Sequence, residues 1–201
     1  RFSFAGISGE LVGFYNDYSN LLGSDLAATG GTGSLDQFNA GEVRVQGVEL
    51  LLNYNFMENN ESFQLPFTFG YTLTDTEFLN SFGSENDIWG EVTVGDELPY
   101  ISKHQFNAAL SLEHENFEIN LSGRYNGAFR TMAGSGAIPA SEKVSSNFIL
   151  DLGGRYRFND HLAVTANAIN LLDEKYAVAR VPAGLRPGHP FGIYAGIELR
   201  Y

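Results

Sequence analysis

Strict two-residue alternation constrains this chain more than any other feature. From Leu65 the odd positions are Leu65, Phe67, Phe69, Tyr71 and Leu73, while Pro66, Thr68, Gly70, Thr72 and Thr74 lie between them. An α-helix cannot place five large apolar residues at that period, but a pleated strand with two unlike faces can. The same pattern returns at Phe117–Tyr125, Phe148–Phe158 and Phe191–Tyr201, and in weaker form at Ile7–Tyr15, Val48–Phe56, Phe106–Leu112 and Leu162–Ala168. The last of these also fits a helical stripe through Leu162, Ala166, Ile169 and Leu172. Its neighbours favour a strand. The high glycine count (23) and the aromatic share (13%) suit strands and turns better than helices.

Length separates two kinds of β protein. Strands in soluble domains average ~5–6 residues, whereas a tilted membrane-crossing strand needs ~9–11. The connections also alternate. Met57–Gln64, Glu113–Asn116 and Asn159–His161 are short; Asp17–Gly41, Asp75–Lys103, Asn126–Ser146 and Asn170–Pro190 are long. Gathering every long loop at one end is the habit of outer-membrane barrels. The apolar face is free of charge from Leu65 to Leu73 and from Phe191 to Tyr201, and aromatics gather at strand ends, as in interfacial girdles. The opposite face carries Glu49, Glu113, Glu118, Arg124, Asp151, Arg155, Arg157, Glu198 and Arg200, which a water-filled lumen tolerates and a dry core does not. The expected fold is all-β: an antiparallel transmembrane β-barrel. Closure follows, because an open edge in lipid leaves backbone groups without partners. A soluble β-sandwich with one wet face shares the alternation but explains neither strand length nor loop asymmetry.

Composition removes several functions. Lys plus Arg number 12 against 24 Asp plus Glu, a net charge of −12, so no basic footprint for nucleic acid exists. There is no cysteine for a disulfide, a thiolate site or thiol catalysis. No apolar run approaches the ~18 residues of a membrane helix. His104, His114, His161 and His189 are not at metal-ligand spacing, and no nucleophile elbow or phosphate loop is present. No catalytic residue, cofactor or metal site is expected. Asp75, Glu77, Glu85, Asp87, Glu91, Asp96 and Glu97 precede Lys103 in the second long loop. Their spacing is not that of an EF-hand, so they read as a solvated acidic loop. Arg130, Lys143, Lys175, Arg180 and Arg186 stand in the third and fourth long loops, where guanidinium groups suit bidentate binding of carboxylates.

Several stretches carry a family resemblance. Asn170-Leu-Leu-Asp-Glu-Lys-Tyr176, Pro182-Ala-Gly-Leu-Arg-Pro-Gly-His-Pro190 and the strand ending at Tyr201 together resemble the last hairpin of TonB-dependent outer-membrane receptors. Asn39-Ala-Gly41 with Gly47-Val48-Glu49, and Gly95-Asp-Glu-Leu-Pro-Tyr100, resemble earlier strands of the same family. The run through Pro182 is similar to receptors for ferric citrate and related ferric chelates. His189-Pro190-Phe191 departs from it, since many members carry a basic residue after the proline. The resemblance spans about Gly6 to Tyr201. It implies that residues 1–201 form about eight C-terminal strands of a roughly 22-stranded barrel whose plug and N-terminal strands lie outside this chain. It implies active uptake of a ferric chelate, of siderophore or ferric citrate type, across the outer membrane of a Gram-negative bacterium. The energy would come from the TonB complex acting on the plug. Arg130, Arg180 and Arg186 would be candidate substrate contacts. Outer-membrane lipid, lipopolysaccharide and the barrel assembly machinery would be further partners. That machinery would read a terminal signal at Phe191, Ile193, Ile197, Leu199 and Tyr201. The alternative is a small closed eight-stranded barrel with a structural or adhesive role.

Overall fold

The computed structural model describes residues 1–24, 37–39, 41–83, 90–180 and 184–200. Nine antiparallel strands pair in chain order and, with a short strand at Phe63–Gln64 that pairs with Glu113–His114, make one ten-stranded sheet. The nine are β1 (Phe2–Phe4), β2 (Ile7–Tyr18), β3 (Val43–Asn55), β4 (Pro66–Phe78), β5 (His104–His114), β6 (Phe117–Asn126), β7 (Asn147–Asn159), β8 (Leu162–Ile169) and β9 (Gly192–Leu199). All eight alternating stretches are strands, including Leu162–Ile169, where the helical stripe was the competing reading. No alternating stretch marked β1 in advance. It joins β2 through a two-residue turn with Ala5 at φ 50° and Gly6 at φ 80°, the left-handed pair that matches strand twist in tight hairpins. Among the described residues β1 and β9 do not pair with each other. The sheet is therefore an open arc, and the small closed barrel is not what this chain forms.

Register settles the two faces, because directly opposed residues in an antiparallel pair point the same way. Leu50, Tyr71 and Phe106 share one rung, as do Leu110, Leu121, Leu152, Ala168 and Ile193. This apolar face is open to the surroundings: Ile193, Ile197 and Leu199 are 68%, 72% and 70% exposed. An apolar area of that extent needs a nonpolar solvent or a partner. On β7 it runs from Phe148 to Phe158, about 33 Å along the strand and about 25 Å along the normal of a barrel tilted ~40°. Ring pairs mark its lower border: Tyr54 on Phe56 at 4.8 Å, Tyr156 on Phe158 at 4.9 Å, and His114 stacked on Phe117 at 5.1 Å. At the upper border Tyr71 Oη lies 2.8 Å from His104 Nδ1, and Phe106 stacks on Tyr125 at 5.0 Å. Among the described residues no helix is long and apolar enough to cross a membrane; the strands do the crossing.

Above that border the faces exchange character on β2, β3 and β4. The lipid-side column turns ionic: Arg44 donates from Nε to Asp17 (2.9 Å) and from Nη1 to Glu77 (2.9 Å), and lies 5.0 Å over the Tyr15 ring. Lys103 bonds Asp75 at 2.7 Å, and that carboxylate holds the ammonium above its usual pKa against the effect of desolvation. The other column becomes the driest part of the molecule. Val43, Phe78 and Val92 are buried together, with Leu21, Val45, Phe82, Leu98 and Ala133 against them. Asp75 and Glu77, expected in a loop, are therefore strand residues. β4 continues to Phe78 because β3 starts at Val43 and pairs with it throughout. The long connections are structured as well, with short ladders at Leu22–Ser24 with Gln37–Asn39, Phe82–Gly83 with Glu91–Val92, Phe129–Arg130 with Lys143–Val144, and Ala177–Ala179 with Arg186–Pro187. Gly47 has a packing reason: a Cβ there would collide with the Leu73 carbonyl and the Phe14 ring.

Candidate functional site: the outer mouth and the polar wall

Two outer connections lock together above β4–β6. Gly95, at φ 90°, lets the chain fold back so that its N–H bonds Phe78 O (2.9 Å) while Phe78 N–H bonds Asp96 O (2.8 Å). The Asp96 carboxylate accepts from the N–H and hydroxyl of Thr93 at 2.9 and 3.0 Å. Glu97 then bridges to Gly134 and receives Arg130 Nε at 2.8 Å. Arg130 also donates to Gly136 O at 3.1 Å and is only 2% exposed. The run Gly95–Tyr100 thus acts as a hook and Arg130 as its internal tie. Expected as a substrate contact, Arg130 is buried and engaged within the platform. Of the other acids in that run, Glu85 and Asp87 lie outside the described residues. Among the described residues no group of three or more acids and histidines could hold a metal.

Arg180 and Arg186 are placed differently. Arg180 is half-buried and donates from Nε to Lys143 O at 3.2 Å, which fastens the last outer connection to the one before β7. Arg186 is exposed on the ladder that opposes it to Ala179. The fold brings Arg180, Arg186 and Lys143 to one corner of the outer end; Arg130 opposes Lys143 on the same ladder, with its guanidinium buried against Glu97.

A single side chain fixes the feet of that last connection. Asn170 is 1% exposed at φ 49°. Its Nδ2 donates to Glu174 O and His189 O, each at 2.9 Å, and its Oδ1 accepts Glu174 N–H at 2.9 Å. Its own N–H bonds Asp151 Oδ1 on the wall at 2.7 Å. Sequence reading marked the Asn170 run by resemblance without seeing this clamp.

Below the mouth the polar face forms a wall. Amide and hydroxyl rungs cross its middle, Thr68 to Asn53 at 3.1 Å and Asn120 to Ser111 at 2.6 Å. At the tight-turn end Glu198 receives Arg155 Nη2 and Arg200 Nε, both at 2.7 Å. Arg155 Nε is buried without a hydrogen-bond partner among the described residues, directly opposite Glu118. The strand carrying the expected assembly signal is β9, with Ile193, Ile197 and Leu199 on the exposed apolar face and Phe191 just before it; Tyr201 lies outside the described residues.

Long strands with a lipid-width apolar face, a polar inner wall and folded outer loops define a segment of a transmembrane β-barrel. The chain belongs to the TonB dependent receptor-like, beta-barrel family, whose model matches residues 1–171. Among solved structures it resembles the siderophore receptor PiuA from Acinetobacter baumannii, with TM-score 0.69 and 16% identity, covering 100% of this chain and 27% of that one. It resembles the ferric yersiniabactin uptake receptor FyuA from Yersinia pestis, with TM-score 0.70, 13% identity and 99% and 28% coverage. The closed form of the ferric-catecholate import receptor Fiu from E. coli K12 gives TM-score 0.64, 19% identity and 95% and 24% coverage. The chain therefore spans 24–28% of these structures. No curated protein sequence matches. The apolar face is the lipid face and the polar face the lumenal wall.

Proposed function

We propose that this chain is the C-terminal part of a receptor barrel that takes up a ferric chelate, of siderophore or ferric citrate type, across the outer membrane of a Gram-negative bacterium. Energy comes from TonB through a plug lying outside this chain. The barrel family and the import receptors it resembles in fold support this reading. The observation that carries it to a substrate class is the corner of Lys143, Arg180 and Arg186 at the outer end of a chain whose net charge is −12. Ferric chelates are commonly anionic, and Arg offers their oxygens paired donors. Arg180 and Arg186 are the substrate contacts. Arg130 serves the site from within the platform, holding the strand that opposes it to Lys143. The ionic belt of Asp17, Arg44, Glu77 and Lys103 meets lipid headgroups and lipopolysaccharide, and β9 with Tyr201 meets the assembly machinery.

The test uses the full-length protein in iron-starved cells given radiolabelled ferric dicitrate or a ferric catecholate. Accumulation that stops when a protonophore collapses the inner-membrane gradient supports the proposal. So does weaker accumulation in Arg180→Ala with Arg186→Ala at unchanged surface abundance. Failure to accumulate either chelate, or accumulation indifferent to the protonophore, overturns it.

A further inference from the structure

Charge on the lumenal face is sorted by wall. Register places Glu10, Glu49 and Glu113 on the lumenal side of β2, β3 and β5, and no lumenal Lys or Arg occurs on β2–β5; Arg44 points to the lipid side. The lumenal face of β6–β9 carries Arg124, Arg155 and Arg157, with Arg200 just beyond β9, beside Glu118, Asp151 and Glu198. An anion in a narrow aqueous lumen with low-dielectric walls feels such an asymmetry strongly.

The four arginines are not equivalent. Arg155 and Arg200 share Glu198 at 2.7 Å, and Arg157 donates to Glu115 O at 2.7 Å. Arg124 is 56% exposed in its side chain, its guanidinium has no hydrogen-bond partner among the described residues, and its carboxylate neighbour Asp151 is 3.9 Å away. The other oxygen of Asp151 is already taken by the Asn170 N–H. Arg124 stands two residues inside the outer end of β6, on the rung of Asn107 and Ile149, below the connections bearing Lys143 and Arg180. Beneath it the wall opens into a hollow lined by neutral Asn120, Gly153, Thr165 and Asn167, which ends at the opposed Glu118 and Arg155.

We propose that an anionic cargo descends along the β6–β9 wall and that Arg124 is its first contact inside the lumen. This rests on the import reading for the cargo, though not for the polarity of the wall. The outer cations capture; Arg124, held only by a long ion pair to Asp151 at 3.9 Å with no hydrogen bond, exchanges water for the anion's oxygens and passes the anion to the stretch below. The opposite wall, where Glu49 and Glu113 meet no cation among the described residues and Glu10 is paired with Arg1 at 3.1 Å, repels the same cargo.

Two measurements on the full-length receptor decide it. With ferric dicitrate as probe, Arg124→Gln lowers maximal uptake five- to tenfold while binding at the cell surface stays within twofold; Arg124→Lys restores most of the rate; Glu49→Gln stays within twofold of the parent. Unchanged uptake in Arg124→Gln, or an equal loss in Glu49→Gln, overturns the proposal. The second measurement needs no cargo. This chain has no cysteine, so Ser122→Cys, on the same lumenal face, gives it one thiol once any cysteine elsewhere in the protein is replaced by serine. The ratio of its labelling rates with a sulfonate and an ammonium methanethiosulfonate falls at least threefold when Arg124→Gln is added. An unchanged ratio, or no labelling by either reagent, overturns the wall assignment and leaves the import reading standing. A shifted ratio in a protein that takes up neither ferric dicitrate nor a ferric catecholate upholds the wall assignment and removes the import reading.

Discussion

Replacing Asn170 tests whether one side chain holds the last outer connection in place. Asn170→Ala removes three hydrogen bonds, two to the carbonyls of Glu174 and His189 and one from Glu174 N–H. In a position 1% exposed, each group left behind costs about 1 kcal/mol where water reaches it and up to ~3 where it does not. The backbone at φ 49° adds about 1 kcal/mol for a residue with a Cβ and no side-chain amide to suit that region. The total is about 4 kcal/mol for alanine. Asn170→Gly loses the same bonds without the backbone cost, about 3 kcal/mol. Asn170→Asp keeps the acceptor for Glu174 N–H but turns a carboxylate toward two carbonyls, and destabilises at least as much as glycine. Amide exchange in the full-length receptor in lipid reads these differences. At about tenfold per 1.4 kcal/mol, the amides of Glu174 and Gly188 exchange at least ~100-fold faster in Asn170→Gly, and faster again in Asn170→Ala. The wall amides of Leu152 and Ala166 stay unchanged. Exchange within threefold of the parent in both variants, or acceleration spread evenly through β7 and β8, would refute the clamp.

Charge on the lipid face is costly: Leu110→Arg or Leu150→Arg lowers folding stability into lipid vesicles by ~2–4 kcal/mol, while Asn120→Arg on the lumenal face costs much less, and equal losses would mean that the faces are assigned backwards. Glu97→Gln leaves the buried Arg130 guanidinium without its counter-charge and destabilises the outer platform by about 2–3 kcal/mol, read as proteolytic nicking in residues 127–144 that the parent resists. Deleting Tyr201 reduces outer-membrane abundance of the full protein far more than Tyr194→Ser on the lumenal face, as expected if β9 is presented to an assembly partner through its outer edge; equal abundance of the deletion and the parent contradicts that role.

The eight wall strands and their two faces were legible in the residues because period-two patterning is local. A side chain's face follows from its position in the strand, and a lipid-facing position tolerates little but apolar atoms. Loop lengths fixed which end faces outward by the same local logic. The strand ends were less legible. Asp75 and Glu77 read as loop chemistry, yet they sit on a strand, because their rungs are completed by Gln46 and Arg44, about thirty positions away. The exchange of faces above the membrane border is invisible to a single-strand pattern, since it depends on Val92 and Leu98 folding back over Val43 and Phe78. Composition could count Arg130, Arg180 and Arg186, but their burial and partners are pairwise facts of the tertiary fold. So is the loose hold on Arg124, whose nearest acid gives one oxygen to a backbone amide from another strand's end and meets Arg124 with the other only at 3.9 Å. Patterning along the chain determined what each strand shows to lipid and to water; only assembly decided which charges neutralise one another and which remain open to a cargo.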